Sequence, residues 1–158
     1  MFKNIKKVHF VGIGGIGMSG IAEILLNQGF EITGSDKSYS EVTNRLQELG
    51  IKVYEGHSPE NLKDADVLVY SSAVSLDNPE VKEALESGVE IIMLDNMDTE
   101  EMEKAVKVIN KRAVVEASGG INLDNIVDVA KTGVDLISVG ALTHSARACD
   151  ISMNIVGT

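Results

Sequence analysis

The first feature of this chain that could bind a ligand is a glycine loop near the N-terminus, Gly12-Ile-Gly-Gly-Ile-Gly17. It follows an apolar stretch and precedes a helical pattern, which is the context of a G-x-G-x-x-G phosphate-binding loop. Asp36 ends the next apolar stretch, where an acidic residue can accept hydrogen bonds from ribose hydroxyls. A glycine turn needed only for packing is the alternative. The pattern predicts a nucleotide site made of Gly12, Gly14, Gly17 and Asp36.

Two further loops of small residues lie towards the C-terminus, Ser118-Gly119-Gly120 and Gly140-Ala141. Each comes directly after an apolar run that we interpret as a strand. Loops at the ends of parallel strands present backbone N–H groups, which suit a phosphate. These two loops predict a second phosphate site.

The elements that must position these loops alternate between strand-like and helical patterns. Runs such as Val67–Tyr70 and Ile91–Leu94 are continuously apolar, which is typical of parallel strands covered on both faces. The predicted strands are Lys7–Gly12, Glu31–Ser35, Lys52–Glu55, Asp66–Ser71, Glu90–Leu94, Ala113–Glu116 and Leu136–Val139. The predicted helices are Met18–Gln28, Ser40–Leu49, Pro79–Ser87, Thr99–Asn110, Asp124–Lys131 and Ser145–Asp150. Right-handed crossovers then predict a Rossmann-like, doubly wound α/β fold, an open parallel sheet of about seven strands in the order 3-2-1-4-5-6-7.

Length and composition indicate the number of domains and which kinds of partner to expect. The 158 residues fit one domain, 1–158, and the net charge of −10 disfavours nucleic acid as a partner. No apolar run of about 18 residues is present, so we expect no membrane span. Cys149 is the only cysteine, which suits the cytoplasm. The tail 150–156 alternates apolar and polar residues and could pair along a strand edge, so we expect a monomer or a weak homodimer.

The first half of the chain resembles the Mur ligase family, in the N-terminal domain of its UDP-N-acetylmuramate–L-alanine ligases. The resemblance covers about residues 1–90 and is carried by His9–Glu23, Gly34-Ser-Asp36, Gly56-His-Ser-Pro-Glu-Asn61 and Val69-Tyr-Ser-Ser-Ala-Val74. It implies that the diphosphate of a UDP-sugar binds at Gly14–Met18, which adds Gly15, Ile16 and Met18 to the site. It also implies that the nucleoside lies near Asp36, His57, Ser71 and Ser72. That family also needs a G-x-x-x-x-G-K-[ST] loop for ATP, which is not found in this sequence.

From about residue 90 the chain resembles quinolinate phosphoribosyltransferases, in the last three strands of their barrel domain (91–158). The resemblance is carried by Ile91–Met97, Val115–Asn122 and Gly133–Ala146. It implies that Asp95 and Glu116 lie near a ribose-phosphate and its magnesium, and that His144 lies near the phosphate. Without the rest of a barrel, an unused polar strand end is the favoured interpretation of the two carboxylates, so no metal ligand is predicted.

These two resemblances led us to expect an engineered chimera that joins a Rossmann-like segment to a barrel fragment. Because both parent active sites are incomplete, the expectation was that the chain is not an enzyme and requires no cofactor. It could still bind a phosphorylated small molecule, with UDP, phosphate or NAD as candidates. The alternative is a UDP-binding or dinucleotide-binding module that acts through Gly12–Gly17.

Overall fold

The structure, a computed structural model, describes residues 5–140. Within that range the strands are β1 (Lys7–Val11), β2 (Glu31–Asp36), β3 (Lys52–Glu55), β4 (Val67–Ser71), β5 (Ile91–Asp95), β6 (Val114–Ser118) and β7 (Leu136–Ile137). The helices are α1 (Ile16–Asn27), α2 (Glu41–Glu48), α3 (Pro79–Ser87), α4 (Thr99–Ile109) and α5 (Ile126–Lys131). A short 3₁₀ helix, Pro59–Leu62, precedes β4 and was not predicted.

The strands form one sheet in the order β3-β2-β1-β4-β5-β6-β7, and every neighbouring pair is parallel. This confirms the predicted topology. The pairing of β4 with β5 runs without a break from Val67 opposite Ile91 to Ser71 opposite Asp95. The sheet is therefore continuous where the family resemblance changes, and all strands end at one carboxyl edge.

Apolar residues cover both faces of the sheet. On β4, Leu68 and Tyr70 belong to one buried cluster, whereas Val67 and Val69 belong to the other. Because successive strand residues point to opposite faces, the two clusters lie on either side of the sheet. This explains why the central strands are apolar throughout.

Local signals set the helix ends. Helix α4 begins with a capping box in which Asp98 accepts from the Glu101 N–H, and Glu101 accepts from the Asp98 N–H. Helix α3 ends at Gly88, which has a left-handed φ of 82°. The largest differences from the predicted bounds are two residues each. Helices α1 and α5 begin at Ile16 and Ile126, β6 ends at Ser118, and β7 is only two residues long.

Several sequence-based predictions fall outside the described residues. Ala141, His144, the helix Ser145–Asp150 and the tail 150–156 are among them. In the described part of the chain, no helix is both long and apolar enough to cross a membrane.

Candidate functional site

The glycine loop is held against strand β2. Gly12 has a positive φ of 79°, which favours glycine. The N–H groups of Gly12 and Ile13 both donate to the Ser35 carbonyl, at 2.8 and 3.0 Å. A Cβ on Gly34 would lie 2.6 Å from the Ile13 Cδ1 atom. The close approach of loop and strand therefore depends on glycine at position 34 as well as in the loop.

Helix α1 starts directly from this loop, with Gly15 as its N-cap residue. Gly15 has no side chain to cap the helix, and no acidic residue lies in the first turn. No hydrogen-bond partner is found among residues 5–140 for the backbone N–H groups of Ile16, Gly17 and Met18. Unpaired N–H groups and the helix dipole favour an anion at this end of α1.

Asp36 lies across the loop from α1. Its Oδ2 atom accepts from the Gly14 N–H at 2.8 Å, and its Oδ1 atom accepts from the Lys37 N–H at 2.8 Å. A Cβ on Gly14 would lie 2.8 Å from Asp36 Oδ2 and 3.1 Å from Thr43. Gly14 is thus required for the contact with Asp36. The carboxylate keeps unused lone pairs, because an ionised carboxylate has about four acceptor positions.

A cavity of about 380 Å³ opens beside the loop at the carboxyl edge of the sheet. We call it the glycine-loop cavity. Its lining comprises Gly12, Gly14, Gly15, Asp36, Lys37, Ser38, Ser40, His57, Ser71, Ala73 and Val74. The structure thus brings together six residues predicted from sequence, and it adds Lys37 as a cation. Met18 is buried in the core, and Ser72 lines a different cavity.

Beneath this cavity lies a buried polar network centred on Glu80, which sequence reasoning missed. The Ser35 hydroxyl donates to Glu80 Oε2 at 2.5 Å, and the Asn61 amide donates to Oε1 at 2.7 Å. The Ser35 oxygen lies 2.9 Å from His57 Nδ1. Because the single Ser35 proton goes to Glu80, the Ser35 oxygen accepts from His57. Glu80 therefore fixes His57 at the wall of the cavity.

The ionisation of Glu80 follows from these contacts. Burial alone would raise the pKa of Glu80, but the neighbouring His9 and the hydrogen bonds from Ser35 and Asn61 outweigh burial and lower the pKa. His9 is fully buried, and its Nε2 atom is 3.6 Å from Glu80 Oε2. His9 lies on β1 and is thus part of the buried support beneath the cavity. The signal missed was Glu80 itself, which reads in sequence as an ordinary first-turn acid of α3.

The second predicted loop, Ser118–Gly120, has a different setting. Gly119 has a φ of 88°, and a Cβ there would lie 2.5 Å from Asn96 Oδ1 and 2.9 Å from the Asn96 backbone nitrogen. The Asn96 N–H donates to the Ser118 carbonyl at 2.9 Å. Glycine is therefore required here for packing against Asn96. Helix α5 begins only at Ile126, so this loop does not lead directly into a helix N-terminus.

Asp95 connects the two loops in space. It is 3% exposed, and its Oδ2 atom accepts from the Asn96 side chain at 3.1 Å. The same oxygen lies 3.8 Å from the position of a Cβ on Gly17. Burial raises the pKa of Asp95, against the lowering effect of the Asn96 hydrogen bond. The two predicted sites are thus neighbours at one sheet edge, with a buried carboxyl group between them.

The remaining predicted residues of the second site are only partly described. Glu116 accepts a hydrogen bond from the Ser138 hydroxyl, Gly140 is the last described residue, and Ala141 and His144 lie beyond it. Within residues 5–140, no group of three or more His, Cys, Asp or Glu side chains could hold a metal ion.

Two protein-family models match this chain. The Mur ligase family, catalytic domain, matches residues 7–105, and the quinolinate phosphoribosyl transferase C-terminal domain matches residues 57–154. Both resemblances inferred from sequence are confirmed. The two matches overlap over residues 57–105, a stretch that contains the expected change at about residue 90. The interpretation of the chain as an engineered chimera stays a prediction.

The curated relatives correct one expectation. A UDP-N-acetylmuramate–L-alanine ligase of Sulfurihydrogenibium is 55% identical over 103 residues, which are 65% of this chain and 23% of that protein. A second such ligase, of Geotalea uraniireducens, is 44% identical over 92% of this chain and 31% of that protein. The expectation that the chain is not an enzyme is therefore wrong with respect to its family, since the relatives that it matches are named as ligases. The chain spans about a quarter to a third of their length.

The solved structures agree on the fold. The UDP-N-acetylmuramate-alanine ligase of Thermotoga maritima aligns with a TM-score of 0.52 at 22% identity, over 83% of this chain and 48% of that one. A deletion mutant of NadC aligns with a TM-score of 0.50 at 24% identity, over 96% of this chain and 54% of that one. At these identities the likeness is one of fold alone.

Proposed function

The chain belongs to the Mur ligase family and to the quinolinate phosphoribosyl transferase C-terminal domain family, and we propose that it binds a uridine diphosphate group in the glycine-loop cavity. The observation that carries the proposal is the start of α1, where three successive N–H groups without partners among residues 5–140 adjoin a cavity of about 380 Å³. That volume falls in the usual range of about 300–1,000 Å³ for ligand sites. The names of the relatives specify a UDP-linked substrate.

The chemistry of the lining supports the following arrangement of the ligand. The diphosphate lies at the start of α1, where N–H donors and the helix dipole stabilise negative charge. Lys37, which lines the same cavity, adds a positive charge. Asp36 accepts hydrogen bonds from the ribose hydroxyls through its unused lone pairs. His57 and Ser71 also line the cavity and are the residues proposed to contact the base.

Amide NMR spectra recorded with UDP, uridine and inorganic phosphate test this proposal. We expect UDP to shift the amide peaks of Gly14–Ser19 at millimolar concentration, and uridine to shift them far less, because it lacks the diphosphate. NAD serves as the comparison for a dinucleotide site. Equal shifts with UDP and uridine, or shifts only at Ser118–Gly120, would overturn the proposal.

A lysine substitution provides the matched variant. Lys37→Gln removes the only Lys or Arg charge in the lining, and we expect it to weaken UDP binding about fivefold, the effect of one solvent-exposed, charge-assisted contact. Lys63→Gln removes an equally exposed lysine that lines a different surface groove and should leave UDP affinity unchanged. Equal effects of the two variants would indicate only a non-specific response to charge.

A further inference from the structure

A second cavity, of about 220 Å³, lies between the loop after β4 and helix α4. We call it the β4–α4 cavity. Its walls include Tyr70, Leu76, Met97, Glu101 and Lys104. No glycine of the loop Gly12–Gly17 lines it, so the proposed nucleotide site does not account for it.

The Tyr70 hydroxyl is the feature that points to a ligand. Tyr70 is 1% exposed, and its hydroxyl has no hydrogen-bond partner in the described part of the chain. A buried polar group without a partner is rare in folded proteins, because the lost hydration is not replaced. Phenylalanine would fill the same core position without this cost. Tyr70 also lines the cavity, which makes a ligand there a candidate partner for its hydroxyl.

Glu101 supplies the second polar group. It is half-buried on the first turn of α4, and its Oε2 atom accepts from the Asp98 N–H at 3.2 Å, which holds the side chain in place. Burial, and then the negative charge of Glu101, raise the pKa of Tyr70 above its ordinary value. Tyr70 thus stays protonated and can donate. The cavity presents one donor, Tyr70, and one acceptor, Glu101.

The apolar lining and the volume limit the rest of the ligand. Leu76 and Met97 line the cavity, and their apolar side chains suit a ring. A cavity of about 150 Å³ holds a benzene molecule, so about 220 Å³ leaves room for one small polar substituent. That substituent must accept from Tyr70 and donate to Glu101. A primary amide does both.

We propose that the β4–α4 cavity binds a small, neutral, planar molecule that carries a primary amide, with its carbonyl on the Tyr70 hydroxyl and its NH₂ group on Glu101. Lys104 is exposed at the rim. Its charge is screened by water, so it contributes less than Glu101. The cavity therefore selects a neutral amide over a carboxylate of the same shape.

Three probes of one shape test this selection by amide NMR on the whole chain. Benzamide both accepts and donates, acetophenone only accepts, and benzoate accepts and carries a negative charge. We expect benzamide to bind with a Kd on the order of 1 mM, as befits a ligand of this size, and to shift the amides of Ser72–Leu76 and Met97–Ala105. Acetophenone should bind more weakly and benzoate most weakly.

Tyr70→Phe separates binding from folding. Because the lost hydroxyl has no partner in the described residues, thermal unfolding should stay the same or improve. Benzamide binding should weaken about tenfold, the effect of one buried hydrogen bond. Tyr39→Phe, at a tyrosine that is 47% exposed and does not line the cavity, is the binding control and should leave the affinity for benzamide unchanged.

Four outcomes would overturn the proposal. The first is no binding of benzamide, as expected if only a water molecule satisfies Tyr70, and the second is equal benzamide affinity in wild type and Tyr70→Phe. The third is tighter binding of benzoate than of benzamide, which would mean that the charge of Lys104 dominates. The fourth is that benzamide shifts only the amide peaks of Gly14–Ser19. A benzamide preference that Tyr70→Phe abolishes would support it.

Discussion

Replacing Glu80 by glutamine tests whether the buried network holds the candidate site together. Glu80 is fully buried and accepts from Ser35, from Asn61 and, at 3.3 Å, from the Ser58 N–H. Glutamine keeps the volume but removes the charge, and its NH₂ group replaces one acceptor. Whichever end this group occupies, it faces groups that now donate to Glu80.

The expected loss of stability follows from the number of hydrogen bonds that Glu80 accepts. A hydrogen bond to a charged group stabilises a protein by about 1.5–3 kcal/mol, and a neutral one by about 1 kcal/mol. In Glu80→Gln the remaining hydrogen bonds are neutral, and the new NH₂ group faces partners that can no longer donate to it. We therefore expect the substitution to lower the free energy of unfolding by about 2 kcal/mol. For a domain of this size that lowers Tm by about 4–8 °C.

The pH dependence identifies the ionised carboxylate as the cause. The folded-state pKa of Glu80 is lowered, so its stabilising contribution is fully present above the unfolded pKa of about 4.3. It is lost as the pH falls through the folded-state pKa. The difference between wild type and Glu80→Gln should therefore be largest near about pH 7 and shrink towards about pH 3.

Urea unfolding of wild type, Glu80→Gln and Glu86→Gln at several pH values makes this measurement. Glu86 lies on the same helix α3 and is exposed, so its substitution should change the free energy of unfolding by no more than about 0.5 kcal/mol. The reasoning is refuted if the two variants are equally stable. It is also refuted if the Glu80→Gln difference persists undiminished in acid.

Two further predictions concern the loop and the carboxyl group beside it. Gly34→Ala places a Cβ 2.9 Å from the Phe10 carbonyl oxygen as well as against Ile13, so it should lower the free energy of unfolding measured in urea by about 3 kcal/mol. Gly20→Ala, where a Cβ would meet nothing within 4 Å, should be neutral or stabilise the fold by up to about 1 kcal/mol. Equal effects of the two substitutions would contradict the close approach of the glycine loop to β2. Asp95→Asn should raise the urea midpoint at neutral pH by about 1 kcal/mol in stability. Since the pKa of Asp95 is raised, the charged form destabilises the fold above that pKa, so the gain should vanish in acid, and a gain that persists there would contradict the assignment.

The sheet could be predicted because each of its causes is local in sequence. Continuous apolar runs mark parallel strands, glycines such as Gly88 end helices, and the handedness of crossovers then leaves one strand order. The glycine loop and Asp36 could be predicted for the same reason, since a short loop and the end of the next strand form the whole motif.

The Glu80 network could not be predicted, because its members are far apart in the sequence. Ser35 lies near the end of β2, Asn61 lies in the unpredicted 3₁₀ helix, and Glu80 lies in the first turn of α3. At the start of a helix an acidic residue has an ordinary explanation in the helix dipole. Nothing in the local pattern distinguishes a solvated first-turn acid from a buried one.

The role of Asn96 was hidden for a related reason. Asn96 follows β5, has a φ of 52° and packs against Gly119, which follows β6. A glycine that leaves room for a phosphate and a glycine that leaves room for an asparagine give the same sequence pattern. The two glycine loops are therefore unequal as candidates. The loop Gly12–Gly17 ends in a helix of twelve residues with unpaired N–H groups in the described structure, whereas Gly119 has a packing reason to be glycine.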